Sequence, residues 1–161
     1  MKISVIIPTL NEDSHIGKTL QSVIKQEGDY EVCVVDGGST DNTVAIAKRY
    51  ACVINSKRGR AIQMNAGANV CKGDILLFLH ADTLLPDNGF REVRKRMRDE
   101  TVAGGSFYIA FDADNFILKA VSFITRFNFR LFHFGDQSIF VRRDVFQALN
   151  GYKEMPIMED Y

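Results

Sequence analysis

Three short polar clusters in this 161-residue chain hold the residue types from which binding chemistry is made. Asp36 precedes Gly37, Gly38 and Ser39. A carboxylate there can accept hydrogen bonds from a base or a ribose, and the glycines let a ligand come close to the backbone. The same residues read equally well as a turn with a capping aspartate. Asp82 follows the most apolar run of the chain. A carboxylate at the end of a buried strand suits a hard cation such as Mg²⁺ or Mn²⁺ that also takes phosphate oxygens. Strand alternation places His80 on the same side as Asp82, as a second metal ligand, a donor behind one, or a structural histidine. Lys57, Arg58 and Arg60 gather three cations before a helix, which suits a phosphate group or simply a solvated loop. Glu159-Asp160, taken alone, is an acidic chain end.

Three other patterns fail on spacing. Gly17-Lys18-Thr19 has the ending of a phosphate-binding loop, but Glu12 stands where its first glycine is required. Gly37-Gly38 lacks the third glycine of a dinucleotide fold. Asp112 to Asn115 begins like a calcium loop, then offers Phe116 and Ile117 where a polar ligand and a glycine are needed.

The elements that must position these groups alternate regularly. Residues 3–7, 31–35 and 75–79 are short apolar runs, as expected of buried strands, and 52–55 is a further short strand. Between them lie helical patterns. The first has Ile16, Leu20, Val23 and Ile24 on one face and is closed by Gly28. The second follows Ser39-Thr40-Asp41 and runs to about residue 50. The third has Ala61, Met64, Asn65 and Ala68 on one face. A fourth, over 89–100, has a charged face. Four such alternations predict an α/β fold, a parallel sheet covered by helices. Ligands in such sheets sit outside the carboxyl ends of the strands, where the three polar clusters fall. The pattern then changes: 105–111 alternates like a half-solvated strand, 114–131 reads as a helix and 137–141 as a strand. One domain with a mixed second half is expected.

Lys+Arg and Asp+Glu both total 20, so long-range attraction to nucleic acid is not expected. The three cysteines form no Cys-x-x-Cys pair, and a reducing, cytoplasmic setting fits them. The opening apolar run is too short for a secretory signal, and no stretch reaches the length of a membrane-spanning helix. Residues 116–134 hold half of the 12 phenylalanines, with Lys119, Arg126 and Arg130 beside the apolar stripe. They read first as a core helix with snorkelling cations. The alternative is peripheral contact with the inner face of an anionic membrane.

Taken together, the motifs resemble those of family 2 inverting glycosyltransferases, enzymes of the nucleotide-diphospho-sugar transferase (GT-A type) fold. Residues 4–12 look like their first strand and loop, and 34–41 like their second. Residues 59–68 resemble the third element, and Phe78-Leu79-His80-Ala81-Asp82-Thr83 the metal-binding strand end. Gly135-Asp136-Gln137, Arg142-Arg143, Gly151-Tyr152 and Met158-Glu159-Asp160 resemble the acceptor-side half. His-Ala-Asp-Thr with Gly-Asp-Gln and Met-Glu-Asp is similar to one bacterial subgroup.

The resemblance implies a three-layer α/β/α sandwich with a mostly parallel sheet. Residues 1–100 would form the nucleotide-sugar half and 101–161 the acceptor side, a core ending just after its base. Pro8, Thr9, Asn11, Glu12, Asp36, Gly38, Arg58, Arg60 and Ala81 would contact a UDP- or GDP-sugar. Of these, Thr9, Glu12 and Asp36 would hold the nucleoside and Arg60 the diphosphate. Asp82, with His80 as second candidate, would bind Mn²⁺ or Mg²⁺, although the family usually has Asp at the place of His80. Asp160 would be the general base, with Glu159 beside it, and Asp136 and Gln137 would meet an acceptor of unspecified nature. The competing readings are a non-catalytic sugar-nucleotide-binding module and a sugar-nucleotide pyrophosphorylase. The second lacks its glycine-rich opening loop here.

Overall fold

The computed structural model describes residues 1–107 and 138–153. Chain order is β1 (Ile3–Thr9), α1 (Ile16–Ile24), β2 (Tyr30–Asp36), α2 (Thr43–Ala47), β3 (Cys52–Asn55), α3 (Arg60–Val70), β4 (Ile75–Phe78), α4 (Gly89–Arg96), β5 (Gly104–Ser106), β6 (Ile139–Arg142) and α5 (Arg143–Ala148). The six strands form one sheet in the order β3-β2-β1-β4-β6-β5. The first four are mutually parallel, β6 runs antiparallel to β4, and β5 antiparallel to β6. The expected mixed second half is therefore present.

Alternation along each strand divides the apolar residues between two cores. Ile3, Val5, Ile7, Val34, Ile75 and Leu77 face α1 and α4, which answer with Ile16, Leu20, Val23, Phe90, Val93 and Met97. Ile6, Cys33, Val35, Leu76 and Phe78 face the other way, toward Ala68 of α3 and Phe146 of α5. Burial on both faces explains the continuous apolar runs and makes this a three-layer α/β/α sandwich. Each fully buried aliphatic side chain contributes about 1.5–3 kcal/mol. On the α3 side one contact is closer than any side chain allows. A Cβ on Gly67 would stand 2.5 Å from Ile6 Cγ2 and 3.0 Å from Val35 Cγ2.

Several boundaries differ from expectation. Ile24 is 44% exposed, and α1 ends there, before Gly28. Gly28, at φ 94°, instead makes room for Arg94, whose guanidinium bonds the carbonyls of Glu27 and Asp29. Helix α2 stops at Ala47, because the chain tightens into three-residue turns at Arg49 and Tyr50. Helix α4 stops at Arg96, and Arg142 of β6 donates to the carbonyls of Met97, Asp99 and Val102. Arg143 does the same for Ala68, in the last turn of α3, and for Gly73 beyond it. Both arginines therefore cap helix ends. The expected helices over 114–131 and 116–134 lie outside the described residues. Among the described residues no helix is long and apolar enough to cross a membrane.

Candidate functional site

A cleft of about 390 Å³ opens at the carboxyl ends of β1 and β4 and the first turns of α3. Pro8, Thr9, Leu10, Glu12, Arg60, Gln63, His80, Ala81 and Asp82 line it. Seven of these nine are residues that the sequence singled out.

Strand β1 delivers Pro8 and Thr9, and register pairs Thr9 with Asp36 at the end of β2. Asp36 is 4% exposed. Its Oδ2 accepts from the amides of Gly38 at 2.9 Å and Ser39 at 3.0 Å. Its Oδ1 is buried with no hydrogen-bond partner among the described residues. A buried acceptor left unpaired costs about 1–3 kcal/mol, and more when charged, so such an atom calls for a donor from elsewhere. Gly38 adopts φ 101°, which brings the backbone round to cap that carboxylate.

The loops after β1 and β2 are fastened to each other. The amides of Asn11, Glu12 and Asp13 donate to Ser39 Oγ, Thr43 Oγ1 and Asp41 Oδ2 at 2.9, 2.7 and 3.1 Å. Asn11 Oδ1 accepts from the Thr40 amide at 2.8 Å. Asn11 thus braces the two loops and does not line the cleft. Arg58 is exposed and also lies outside the lining.

Gln63 is a functional candidate that the sequence reading missed. It is 4% exposed, and its Nε2 donates to Thr9 O at 2.9 Å and Val35 O at 2.7 Å, joining β1 to β2 at the cleft. The buried face of α3 is Gln63, Gly67 and Ala68, so of the expected stripe only Ala68 is fully buried. The available signal was a lone glutamine one turn before Gly67, the helix's closest approach to the sheet.

His80 and Asp82 lie beyond the end of β4, in a turn closed by Thr83 N donating to His80 O at 3.2 Å. Strand alternation therefore does not set their sides, yet both line the cleft. Arg60 Nη2 donates to His80, contacting Nδ1 and lying 2.7 Å from Nε2. A ring nitrogen that accepts from a guanidinium carries no proton there, and it is engaged by Arg60. Asp82 is exposed, and Thr83 Oγ1 lies 3.3 Å from its Oδ1. Among the described residues no group of three or more His, Cys, Asp or Glu could hold a metal by itself. A single hard carboxylate beside Arg60 suits a cation shared with phosphate oxygens, not a closed protein cage. Behind Arg60, burial pushes the Tyr152 phenol up to about 12, against the opposing charge of Arg60. The expected base and acceptor residues, Glu159, Asp160, Asp136 and Gln137, lie outside the described residues.

A mixed six-stranded sheet in this order, with a cleft at its strand ends, has the architecture of the GT-A class of folds. Residues 4–150 match Glycosyl transferase family 2, and the chain belongs to that family. It is 40% identical over 91 residues to the PGL/p-HBAD biosynthesis glycosyltransferase Rv2957 of Mycobacterium tuberculosis, covering 51% of this chain and 36% of that protein. It is 29% identical over 103 residues to the poly(ribitol-phosphate) beta-N-acetylglucosaminyltransferase TarP of Staphylococcus aureus, covering 57% and 32%. Among solved structures, a mannosyltransferase from Pyrobaculum calidifontis in complex with GDP-Man and Mn²⁺ superposes with a TM-score of 0.74 at 25% identity, over 94% of this chain and 47% of that one. Staphylococcus aureus TarS with UDP-GlcNAc gives 0.70 at 19% identity, over 99% and 51%. The chain spans about a third of the length of the curated relatives and about half of the solved chains.

Proposed function

We propose that the protein transfers a sugar from a UDP- or GDP-sugar to an acceptor hydroxyl, with inversion at the anomeric carbon and with a divalent cation. The observation that carries this reading is the buried Oδ1 of Asp36, unpartnered among the described residues. It lies outside the cleft lining but in register with Thr9 of that lining, where Arg60 and Asp82 also stand. Asp36 accepts a hydrogen bond from the base or ribose, with Thr9 and Glu12 around it. Arg60 pairs with the diphosphate. Asp82 is the protein ligand of the cation, while His80, engaged by Arg60, orients that guanidinium. A bound Mn²⁺ or Mg²⁺ supplies positive charge at the leaving diphosphate.

The acceptor oxygen attacks the anomeric carbon from the side opposite the diphosphate. As that bond forms, the bond from carbon to phosphate oxygen breaks, and its electron pair leaves with the nucleoside diphosphate. Arg60 is matched to the charge that grows there. Asp160, adjacent to Glu159, takes the hydroxyl proton; such a base contributes about 10²–10⁴-fold. Asp136 and Gln137 contact the acceptor. Resemblance of the motifs supports these last four roles. The setting we propose is cytoplasmic, and sedimentation with anionic liposomes tests membrane contact through 116–134.

The test uses UDP- and GDP-sugars with Mn²⁺, following nucleotide release and nucleotide binding in parallel. Release is expected for the native chain, and Asp160→Asn should bind nucleotide without releasing it. Normal turnover by Asp160→Asn would remove the base assignment. Binding without release by the native chain would favour a non-catalytic module.

A further inference from the structure

Asp82 has little side-chain support of its own, so its place depends on the backbone of the irregular stretch between β4 and α4. That stretch is fastened to one helix. Thr19 and Ser22 of α1 and Gln26, two residues beyond its end, follow i, i+3, i+7 spacing and so share a face. Thr19, 1% exposed, donates from Oγ1 to Ala81 O at 2.6 Å. Ser22 Oγ accepts from the Leu85 amide at 3.0 Å. Gln26 Nε2 donates to Pro86 O at 2.9 Å, and its Oε1 accepts from the Phe90 amide at 3.1 Å. Four hydrogen bonds from one helical face thus fix the segment from Ala81 to Phe90 at both ends.

The Thr19 bond has the most direct consequence. The peptide joining Ala81 to Asp82 is planar, so holding the Ala81 carbonyl also fixes the direction of the Asp82 amide and Cα. Thr19 belongs to Gly17-Lys18-Thr19, whose ending looks like that of a phosphate-binding loop. Its hydroxyl instead points into the protein.

We propose that the Thr19–Ser22–Gln26 face of α1 is a positioning device for Asp82, with Thr19 as its principal residue. This rests on the reading of Asp82 as the cation ligand. Partners that orient a metal ligand typically change metal affinity about 10–100-fold when removed.

The experiment measures UDP binding by calorimetry, with and without Mn²⁺, for the native chain, Thr19→Val, Thr19→Ser and Asp82→Asn. Mn²⁺ should tighten UDP binding by the native chain, and Asp82→Asn should abolish that gain. Thr19→Val should reduce the gain about tenfold while metal-free UDP binding stays within about twofold, and Thr19→Ser should restore it. If Thr19→Val does not fold, Ser22→Ala, at a half-buried site, is read the same way. A full Mn²⁺ gain in the variant, or equal weakening with and without metal, overturns the proposal alone. A native chain without any Mn²⁺ gain, or Asp82→Asn that keeps it, overturns the metal reading and this proposal with it.

Discussion

Asn65 pairs with the backbone of Tyr152 as one strand pairs with another. Its Nδ2 donates to Tyr152 O at 2.9 Å, and Tyr152 N donates to its Oδ1 at 2.9 Å. Gly151 before it sits at φ 71°, and a Cβ there would stand 2.6 Å from Asn65 Oδ1. Tyr152 also completes a three-ring cluster with Phe78 and Phe146, at centroid distances of 5.1 and 5.5 Å. Asn65→Ala should cost about 1–3 kcal/mol, read from the urea midpoint, because both backbone groups lose their partner. Asn65→Asp keeps the acceptor for Tyr152 N but sets a carboxylate oxygen against Tyr152 O, so it should not recover the native stability.

Asp36→Asn should separate stability from binding. The amide oxygen can still accept from Gly38 and Ser39, and a neutral Nδ2 replaces the buried oxygen that has no partner among the described residues. The melting temperature should stay level or rise, while UDP affinity falls roughly 10–100-fold for loss of a charge-assisted bond. Differential scanning fluorimetry and calorimetry on the same samples check both halves.

Gln63→Glu should be worse than Gln63→Ala. The alanine takes one donor from each carbonyl, leaving the Gly37 amide on Thr9 O and Thr9 Oγ1 on Val35 O, whereas glutamate sets a carboxylate against both. Melting curves at neutral pH should order the variants native, alanine, glutamate; the reverse order would mean that the bridge carries no weight.

Acid should expose Glu31. Burial alone would raise its pKa, but hydrogen bonds from Ser4, the Lys72 amide and Lys2, together with the charge of Lys2, hold it at about 2, below its ordinary 4.5. A lowered folded pKa stabilises above the unfolded value, and that contribution fades as pH falls from 4.5 toward 2. With 28% of the side chain exposed, on the order of 2 kcal/mol is at stake. Urea midpoints of Glu31→Gln should lose this part of the native pH dependence.

The cysteines should label unequally. Cys52 is exposed, whereas Cys33 and Cys71 are buried. A hydrogen bond donated to Cys71, with burial, pushes the Cys33 thiol up, away from the reactive thiolate; the same bond draws the Cys71 thiol down, so burial alone keeps Cys71 from reagent. A disulfide dye should therefore titrate Cys52 promptly in the native protein and the other two only in denaturant. Prompt reaction of all three would contradict the burial.

What could be read from residues was the part governed by local rules. Continuous apolar runs such as 75–79 marked strands buried on both faces, and polar residues just after them marked the site. The partners of those residues were beyond reach, because they come from distant positions. Nothing local says that Arg60 meets His80, that Asn11 braces Thr40, or that Arg142 caps α4. At His80 and Asp82 alternation was not the reason that both line the cleft, since the strand ends at Phe78 and its two-residue period ends with it. Gln63 was hidden because helical spacing reports apolar residues, and a buried glutamine among alanines looks like surface.

Gly67 gives the protein something a larger residue could not: nearness. With no side chain there, α3 settles against Ile6 and Val35 at the height of a bare backbone. One turn earlier, on the same face, the Gln63 amide then reaches two strands at once. The helix acts as a lever whose fulcrum is this glycine, and one added methyl group would lift its whole front end. A side chain at position 67 would therefore disturb both the seat of α3 and the grip of Gln63 on β1 and β2.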